Sequence, residues 1–366
     1  MTSSDEPTVA EVLNQLMDSE LLSRTDVDRI LEQRKDIPNI HVLATTLVDL
    51  RLISEFQSRA IFDDDDIDLR LNNYLLLDHI GDGGMGQVFK ARDCNTGKTV
   101  AVKLLHPTEY NNESSVRRFN REIAIASQLS HPNIVATIEG GSSGGRQFLV
   151  MEFVDGHDLA TLVRAHQALP ISTAVDCILR AAAGLEYAHA NNIIHRDIKP
   201  SNLLLSRSGE IRLLDMGLVR IAANNHDAST ASTQTQLTRT GAIMGTIDFM
   251  APEQAVNPRN ADHRADIYGL GCTLYYLLTG KAPFDGETVM EVLVAHREHP
   301  IPSLRDVRED VPESLDDILA KMMAKHPDNR YQSAAEVYRE LESCRLENGL
   351  AWLMQKVKFK SGRRKS

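Results

Sequence analysis

Cysteine is scarce. Cys94, Cys177, Cys272 and Cys344 lie 72 to 95 positions apart in a chain of 366 residues. With no CxxC pair, neither a zinc site nor a disulfide framework is expected, and a reducing cytoplasm is the expected setting. Long apolar runs are missing too. The densest, residues 270–278, is broken by Gly271 and Thr273. It falls short of the ~18 residues that span a bilayer and reads as a buried helix. The opening MTSSDEPTVAEV lacks a basic and an apolar region, so no signal peptide is expected. Glycine (21) and proline (13) are too few for collagen-like or proline-rich architecture. Apolar residues at 42% and charged residues at 25% exclude wholesale disorder. The length suits one large domain with an accessory piece, or two domains.

The net charge of −11 is unevenly spread: residues 1–72 carry −9 and residues 356–366 carry +6. An acidic body argues against nucleic acid as a main partner, because phosphate contacts need a basic surface. The basic end, KVKFKSGRRKS, reads as a solvated, disordered terminus. Contact with anionic lipid or nucleic acid is its other reading.

Residues 1–62 read as helical and contain a weak repeat at an offset of 31, in which LMDSELLS (16–23) matches LVDLRLIS (47–54). Each copy is an apolar helix, a turn and a serine suited to N-cap the next helix. Two helical hairpins follow. They are either a docking module for a partner or an extension packed on the next domain. Four consecutive acids, 63–66, mark a linker over 63–73. From Tyr74 strands dominate: 74–80, a glycine-rich turn, 88–91, a turn at 95–98, 99–105 and 148–153, with a helix over 118–129 between the last two. After Ile171 the pattern is mostly helical, apart from a hairpin at 208–210. Strands first and helices afterwards indicate a two-lobed α+β domain with a cleft between the lobes.

Four segments carry candidate chemistry. Ile80, Gly81, Asp82, Gly83, Gly84, Met85, Gly86, Gln87 and Val88 contain GxGxxG followed by VFKAR. Glycines let backbone approach phosphate. A strand after the turn, rather than a helix, argues against a dinucleotide-binding unit. Lys103 in the apolar run VAVK is expensive to bury unpaired, and Glu122 on the next helix is its best partner; an outward-facing edge lysine is the alternative. His195, Arg196, Asp197, Lys199 and Asn202 crowd one short loop after an apolar helix, as a catalytic loop would. Asp215 ends an apolar strand before Met216 and Gly217. Asn202 and Asp215 offer hard oxygen ligands that suit Mg²⁺ bridging phosphates.

The ordered set GxGxxGxV, VAVK, HRDxKxxN, DxG and APE resembles the eukaryotic-type protein kinase family. The spelling GDGGMGQVFKA, HRDIKPSN and GTIDFMAPEQA is most similar to its bacterial serine/threonine members. The resemblance covers about residues 74–344. It implies a bilobal kinase-like fold, with a small β-rich N-lobe and a larger helical C-lobe, carrying an all-helical N-terminal extension (1–62). A linker (63–73) would separate the two, and a basic tail (345–366) would follow. The implied activity is ATP-dependent phosphorylation of Ser/Thr hydroxyls on protein substrates in the cytoplasm, with Mg²⁺, or Mn²⁺ in its place. An ATP-binding pseudokinase-like scaffold is the alternative. Oligomeric state is open.

The resemblance also implies roles. The 81–86 loop would cover the ATP phosphates, and Lys103, fixed by Glu122, would hold the α- and β-phosphates. Asp197 would orient the substrate hydroxyl, Lys199 would steady the γ-phosphate, and Asn202 and Asp215 would hold the metal. Met151 would be the gatekeeper. Backbone groups of Glu152 and Val154 would bind adenine, between apolar walls Ala101 and Leu204. Glu253 would pair with Arg330, and Asp266 would anchor the catalytic loop, a role that an ordinary N-cap does not exclude. Residues 215–253 form a long segment. Thr238 and Thr240 are its candidate phosphosites, Arg196 the group that would pair with such a phosphate, and Thr246 a lining of the substrate site. Met216 stands where the family has phenylalanine, and Ala126 is small for a helix-packing contact. Both soften the expected packing of the active state.

Overall fold

The computed structural model describes residues 7–33, 37–63, 68–83, 86–106, 117, 119–120, 123–124, 126–214, 244–257, 261–344 and 349–356. The chain forms two compact units. The first comprises Met1–Val116 and Ile138–Phe153, the second Arg117–Thr137 and Val154–Ser366.

Four helices open the first unit: α1 Val9–Asp18, α2 Arg24–Gln33, α3 Ile40–Asp49 and α4 Glu55–Phe62. The sequence repeat is a structural one. Glu20 and Arg51, 31 residues apart, both adopt left-handed backbone, with φ of 60° and 56°. In each copy two successive amides then return to one helical carbonyl. Leu21 and Leu22 donate to Leu16, and Leu52 and Ile53 donate to Leu47. The apolar positions correspond as well: Val12 with Leu43, Leu16 with Leu47 and Leu22 with Ile53 are all buried in one small core. Ser23 and Ser54 cap α2 and α4, each accepting from the amide three residues on.

The same unit holds a six-stranded sheet in the order β1-β2-β3-β4-β6-β5. Its strands are β1 Arg70–Leu71, β2 Tyr74–Gly83, β3 Gly86–Asp93, β4 Thr99–Leu105, β5 Thr137–Ser143 and β6 Arg146–Glu152. The 63–73 segment is therefore not all linker, because Arg70 and Leu71 pair with Leu75 and Tyr74. Alternation divides β4 between two faces. Val100, Val102 and Leu104 join Leu76, Phe89, Phe148 and Val150 in a core that also contains Phe56 of α4. The Phe56 and Phe89 rings stand 5.3 Å apart. The N-terminal helices thus pack on the sheet. β2 carries two bulges, because its pairing with β3 skips Leu77 and Ile80.

The second unit is mostly helical. Its core is built on Ile171–Ala190 and Arg264–Thr279, with Glu313–Met322 and Ala334–Glu342 around them. Gly280, at φ 74°, ends the second of these helices in the left-handed conformation. A small sheet, β7 Gly156–Asp158, β8 Leu203–Ser206 and β9 Ile211–Leu213, includes the hairpin expected around Gly209. The second unit also reaches further than the expected boundary at 344. Ala351–Lys356 is helical, Leu350 and Leu353 join the core, and Thr173 Oγ1 donates to the Gly349 carbonyl at 2.6 Å. No helix of the described residues is long and apolar enough to cross a membrane.

Candidate active site

In the first unit, strand register puts most of the expected residues on one face. Val88 and Leu149 flank Lys103 in register, and Ala101 is paired with Met151. These lie opposite the core that receives Phe56. Lys103 is 3% exposed, so its ammonium has left water, at a cost that requires compensation. Glu152 follows on β6, and Val154 lies just past its end. Gln87 and Asp82 pair with each other, one register position from Val88 and Gly81, and so take the other face. Asp82 accepts from, or is paired with, His79 Nε2 at 3.2 Å. Ile80, a bulge residue, is 47% exposed.

The two end glycines of the motif differ. A Cβ on Gly86 would collide with the Leu104 carbonyl, so close packing of β3 on β4 demands glycine there. A Cβ on Gly81 would meet nothing within 4 Å. Steric need therefore explains Gly86, whereas Gly81 has room to spare.

In the second unit the loop after Ile171–Ala190 is held from beneath. Asp266 is fully buried in the first turn of its helix, whose N-cap is His263; the ordinary N-cap reading does not apply. Its carboxylate accepts from the backbone amides of His195 (2.9 Å) and Arg196 (2.6 Å) and from His189 Nε2 (2.8 Å). Burial alone would raise this carboxyl. The hydrogen bond and charge of His189 and the Arg196 amide outweigh burial and hold it below its ordinary value. Arg196 has φ 65°, left-handed backbone that a non-glycine residue keeps only when its surroundings enforce it. Asp266 holds its amide, and Gln254 Nε2 holds its carbonyl at 2.9 Å. Burial pulls the Arg196 guanidinium below its ordinary value, against the pull of Asp266.

His195, 1% exposed, joins the loop to the next strand. Its Nε2 lies 2.7 Å from the Leu214 carbonyl, and its Nδ1 accepts from the Asp197 amide at 3.3 Å. This pairing makes Nε2 the protonated nitrogen. Asn202 Nδ2 donates to the Asp197 carbonyl (2.7 Å) and to Asp197 Oδ2 (3.0 Å). That leaves Oδ1 as the Asn202 atom suited to a hard cation. Lys199 Nζ lies 2.9 Å from Asp197 Oδ2 and donates to Thr246 Oγ1 at 2.7 Å. Leu204 is half-buried, out of the core that takes Leu203 and Leu205. Arg330, 2% exposed, makes a two-pronged contact with Glu253 at 2.7 and 2.8 Å.

Gly84, Met85, Glu122, Asp215, Met216, Thr238 and Thr240 lie outside the described residues. Sequence reasoning missed His189 and Gln254. His189 sits at the end of an apolar helix with no pattern of its own. Gln254 directly follows the APE motif, and that position is the only signal it gives.

Residues 74–340 match the protein kinase domain family. A probable serine/threonine-protein kinase of Clostridium perfringens is 38% identical over 275 residues, covering 75% of this chain and 38% of that protein. The serine/threonine-protein kinase PknB of Mycobacterium leprae is also 38% identical, over 74% of this chain and 42% of its own length. The chain therefore spans about two fifths of these curated relatives. Among solved structures, the kinase domain of PknI from Mycobacterium tuberculosis aligns with a TM-score of 0.58 at 26% identity, over 75% of this chain and 97% of that one.

Proposed function

The chain belongs to the protein kinase family, and from that premise we propose that it is a serine/threonine protein kinase. It transfers the γ-phosphoryl group of ATP to serine and threonine hydroxyls of protein substrates and phosphorylates its own activation segment, at Thr238 or Thr240. The observation that carries this reading is the Lys199 ammonium set between the Asp197 carboxylate and the Thr246 hydroxyl. A hydroxyl presented to Asp197 is oriented for attack, while Lys199 meets the negative charge of the incoming phosphoryl group. Thr246 holds Lys199 and lines the substrate side. The transfer depends on positioning and charge neutralisation, which these groups supply.

Lys103 would hold the α- and β-phosphates, and the 81–86 turn would cover them. Backbone groups of Glu152 and Val154 would serve adenine, as would the apolar side chains of Ala101, Met151 and Leu204. Asn202 and Asp215 would hold Mg²⁺, which when bound neutralises phosphate charge. The catalytic domain runs from Tyr74 through the core helix ending at Lys356, with residues 1–62 as a helical module upon it. Four unpaired cysteines fit a reducing cytoplasm.

Intact-mass spectrometry after incubation with ATP and Mg²⁺ tests this reading. Protein first treated with phosphatase is compared with Lys103→Met and Asp197→Asn. Gains of about 80 Da per phosphoryl group in the wild type alone are expected, with fragmentation placing them in the activation segment. ATP binding without transfer, to itself or to generic protein substrates, would overturn it in favour of a signalling scaffold.

A further inference from the structure

The capping residues of α2 and α4 occupy equivalent places in the repeat but have different chemistry. In the first copy the bonds of the cap stay within the helix end: Asp26 accepts from the Ser23 amide and hydroxyl, Ser23 Oγ accepts from the Asp26 amide, and Ser23 Oγ also meets Thr25 Oγ1 at 2.8 Å. In the second copy Gln57 replaces the aspartate. Its Oε1 accepts from the Ser54 amide at 3.0 Å, completing the same box. An amide, unlike a carboxylate, still has N–H groups to give. Gln57 Nε2 donates to the Leu76 carbonyl at 2.9 Å, and Gln57 is 4% exposed. Ser54 Oγ donates to the Leu77 carbonyl at 2.6 Å.

Leu77 is the extra residue of the first β2 bulge. It has no register partner on β3, and Ser54 serves its carbonyl. The clamp lies four residues before Gly81, about 13 Å along the strand. A line of tilted and edge-on ring contacts continues in that direction: Phe56 against Phe89 and Phe89 against His79, both at 5.3 Å, with His79 on Asp82 at the start of the glycine turn.

We propose that Ser54 and Gln57 are positioning residues for the nucleotide: the capping box of α4 clamps the bulged strand that leads into the glycine-rich turn and sets the height of that turn over the ATP phosphates. The role in nucleotide binding rests on the kinase reading above; the clamp itself does not. The N-terminal helices thereby hold the loop from the sheet face opposite Lys103. One copy of the repeat is specialised for this by a single exchange of carboxylate for amide.

The test uses the full chain and two readouts. Gln57→Glu keeps the acceptor that caps α4 but turns a carboxylate towards the Leu76 carbonyl. Ser54→Ala removes the other donor, and Ser54→Thr retains it. Asp26→Ala damages the equivalent cap, which has no bond to β2. Amide hydrogen exchange over residues 76–83 without nucleotide is expected to quicken about tenfold in Gln57→Glu and Ser54→Ala, the loss of about one buried hydrogen bond. Ser54→Thr should return to the wild-type rate, and Asp26→Ala should leave it unchanged. The KM for ATP should rise about fivefold in the first two variants with kcat within twofold, as expected for lost nucleotide positioning rather than lost chemistry. Unchanged exchange in both clamp variants, or equal quickening in Asp26→Ala, would overturn the clamp. Quickened exchange with unchanged KM would overturn its role towards ATP. A wild type that transfers no phosphate yet shows the exchange pattern would sink the kinase reading and leave the clamp standing.

Discussion

Asp266 does for the catalytic loop what no residue inside that loop can do. Three N–H groups converge on one buried carboxylate, and two of them are the successive backbone amides of His195 and Arg196 that lead into the left-handed turn at Arg196. Hydrogen bonds to a charged acceptor contribute about 1.5–3 kcal/mol each. An asparagine there would offer one acceptor and push an N–H at a donor. Asp266→Asn is therefore expected to lower kcat at least tenfold while leaving the KM for ATP within about threefold, with a fall of about 2 kcal/mol in stability. Steady-state kinetics on a protein substrate and urea unfolding of both forms check this; an unchanged kcat would show that the loop holds its shape unaided. The anchoring role of Asp266 was legible because the motif order placed it. His189 and Gln254, which complete the same support, were not. One contributes a side chain from 77 positions upstream of its partner, the other from 58 positions downstream of the carbonyl it holds, and neither distance leaves a mark on local pattern.

Elements were most readable where side-chain periodicity does the work. The offset-31 repeat predicted two hairpins, and the structure repeats down to the left-handed residues Glu20 and Arg51. The alternation in β4 correctly put a lysine in an apolar strand. What alternation does not show is what a strand face packs against, which is why Phe56 covering the sheet was one of two open readings. The glycine-rich turn makes the same point at its two ends. GxGxxG alone treats Gly81 and Gly86 alike, but Gly86 is fixed by the Leu104 carbonyl of the neighbouring strand, while Gly81 borders open space. Gly86→Ala is expected to cost about 1–3 kcal/mol through overpacking. Gly81→Ala should stay within about 0.5 kcal/mol of wild type and act on ATP affinity instead. Thermal unfolding and nucleotide titration of the two variants separate these effects. Equal destabilisation by both would show that the close approach at Gly86 is not what glycine is for.

Across the whole molecule, the reach of the folded chain is set by burial rather than by motif. The family match ends at residue 340, and charge alone marks the C-terminal end as a solvated tail. Within that charged end lies a short apolar group, Leu350, Trp352, Leu353 and Met354, too brief to register as a periodic helix. Its contacts are extensive. Leu353 is fully buried, the Trp352 ring meets His166 at 5.9 Å, and a Cβ on Gly349 would collide with Asp176. The segment closes over Ile171–Ala190, the helix that delivers the catalytic loop, so removing it would uncover the core behind the active site. Burying two leucines contributes about 3–6 kcal/mol, a large share of the stability of an ordinary domain. A chain ending at Cys344 is accordingly expected to melt several degrees lower than the full chain. In the full chain, Leu353→Ala alone should cost about 2–5 kcal/mol by urea unfolding. Because the cost falls on the catalytic-loop helix, the same variant should lose phosphotransfer at temperatures where the wild type is still active. If Leu353→Ala unfolds at the wild-type urea midpoint, the segment only rests on the surface, and the domain ends where the family match does.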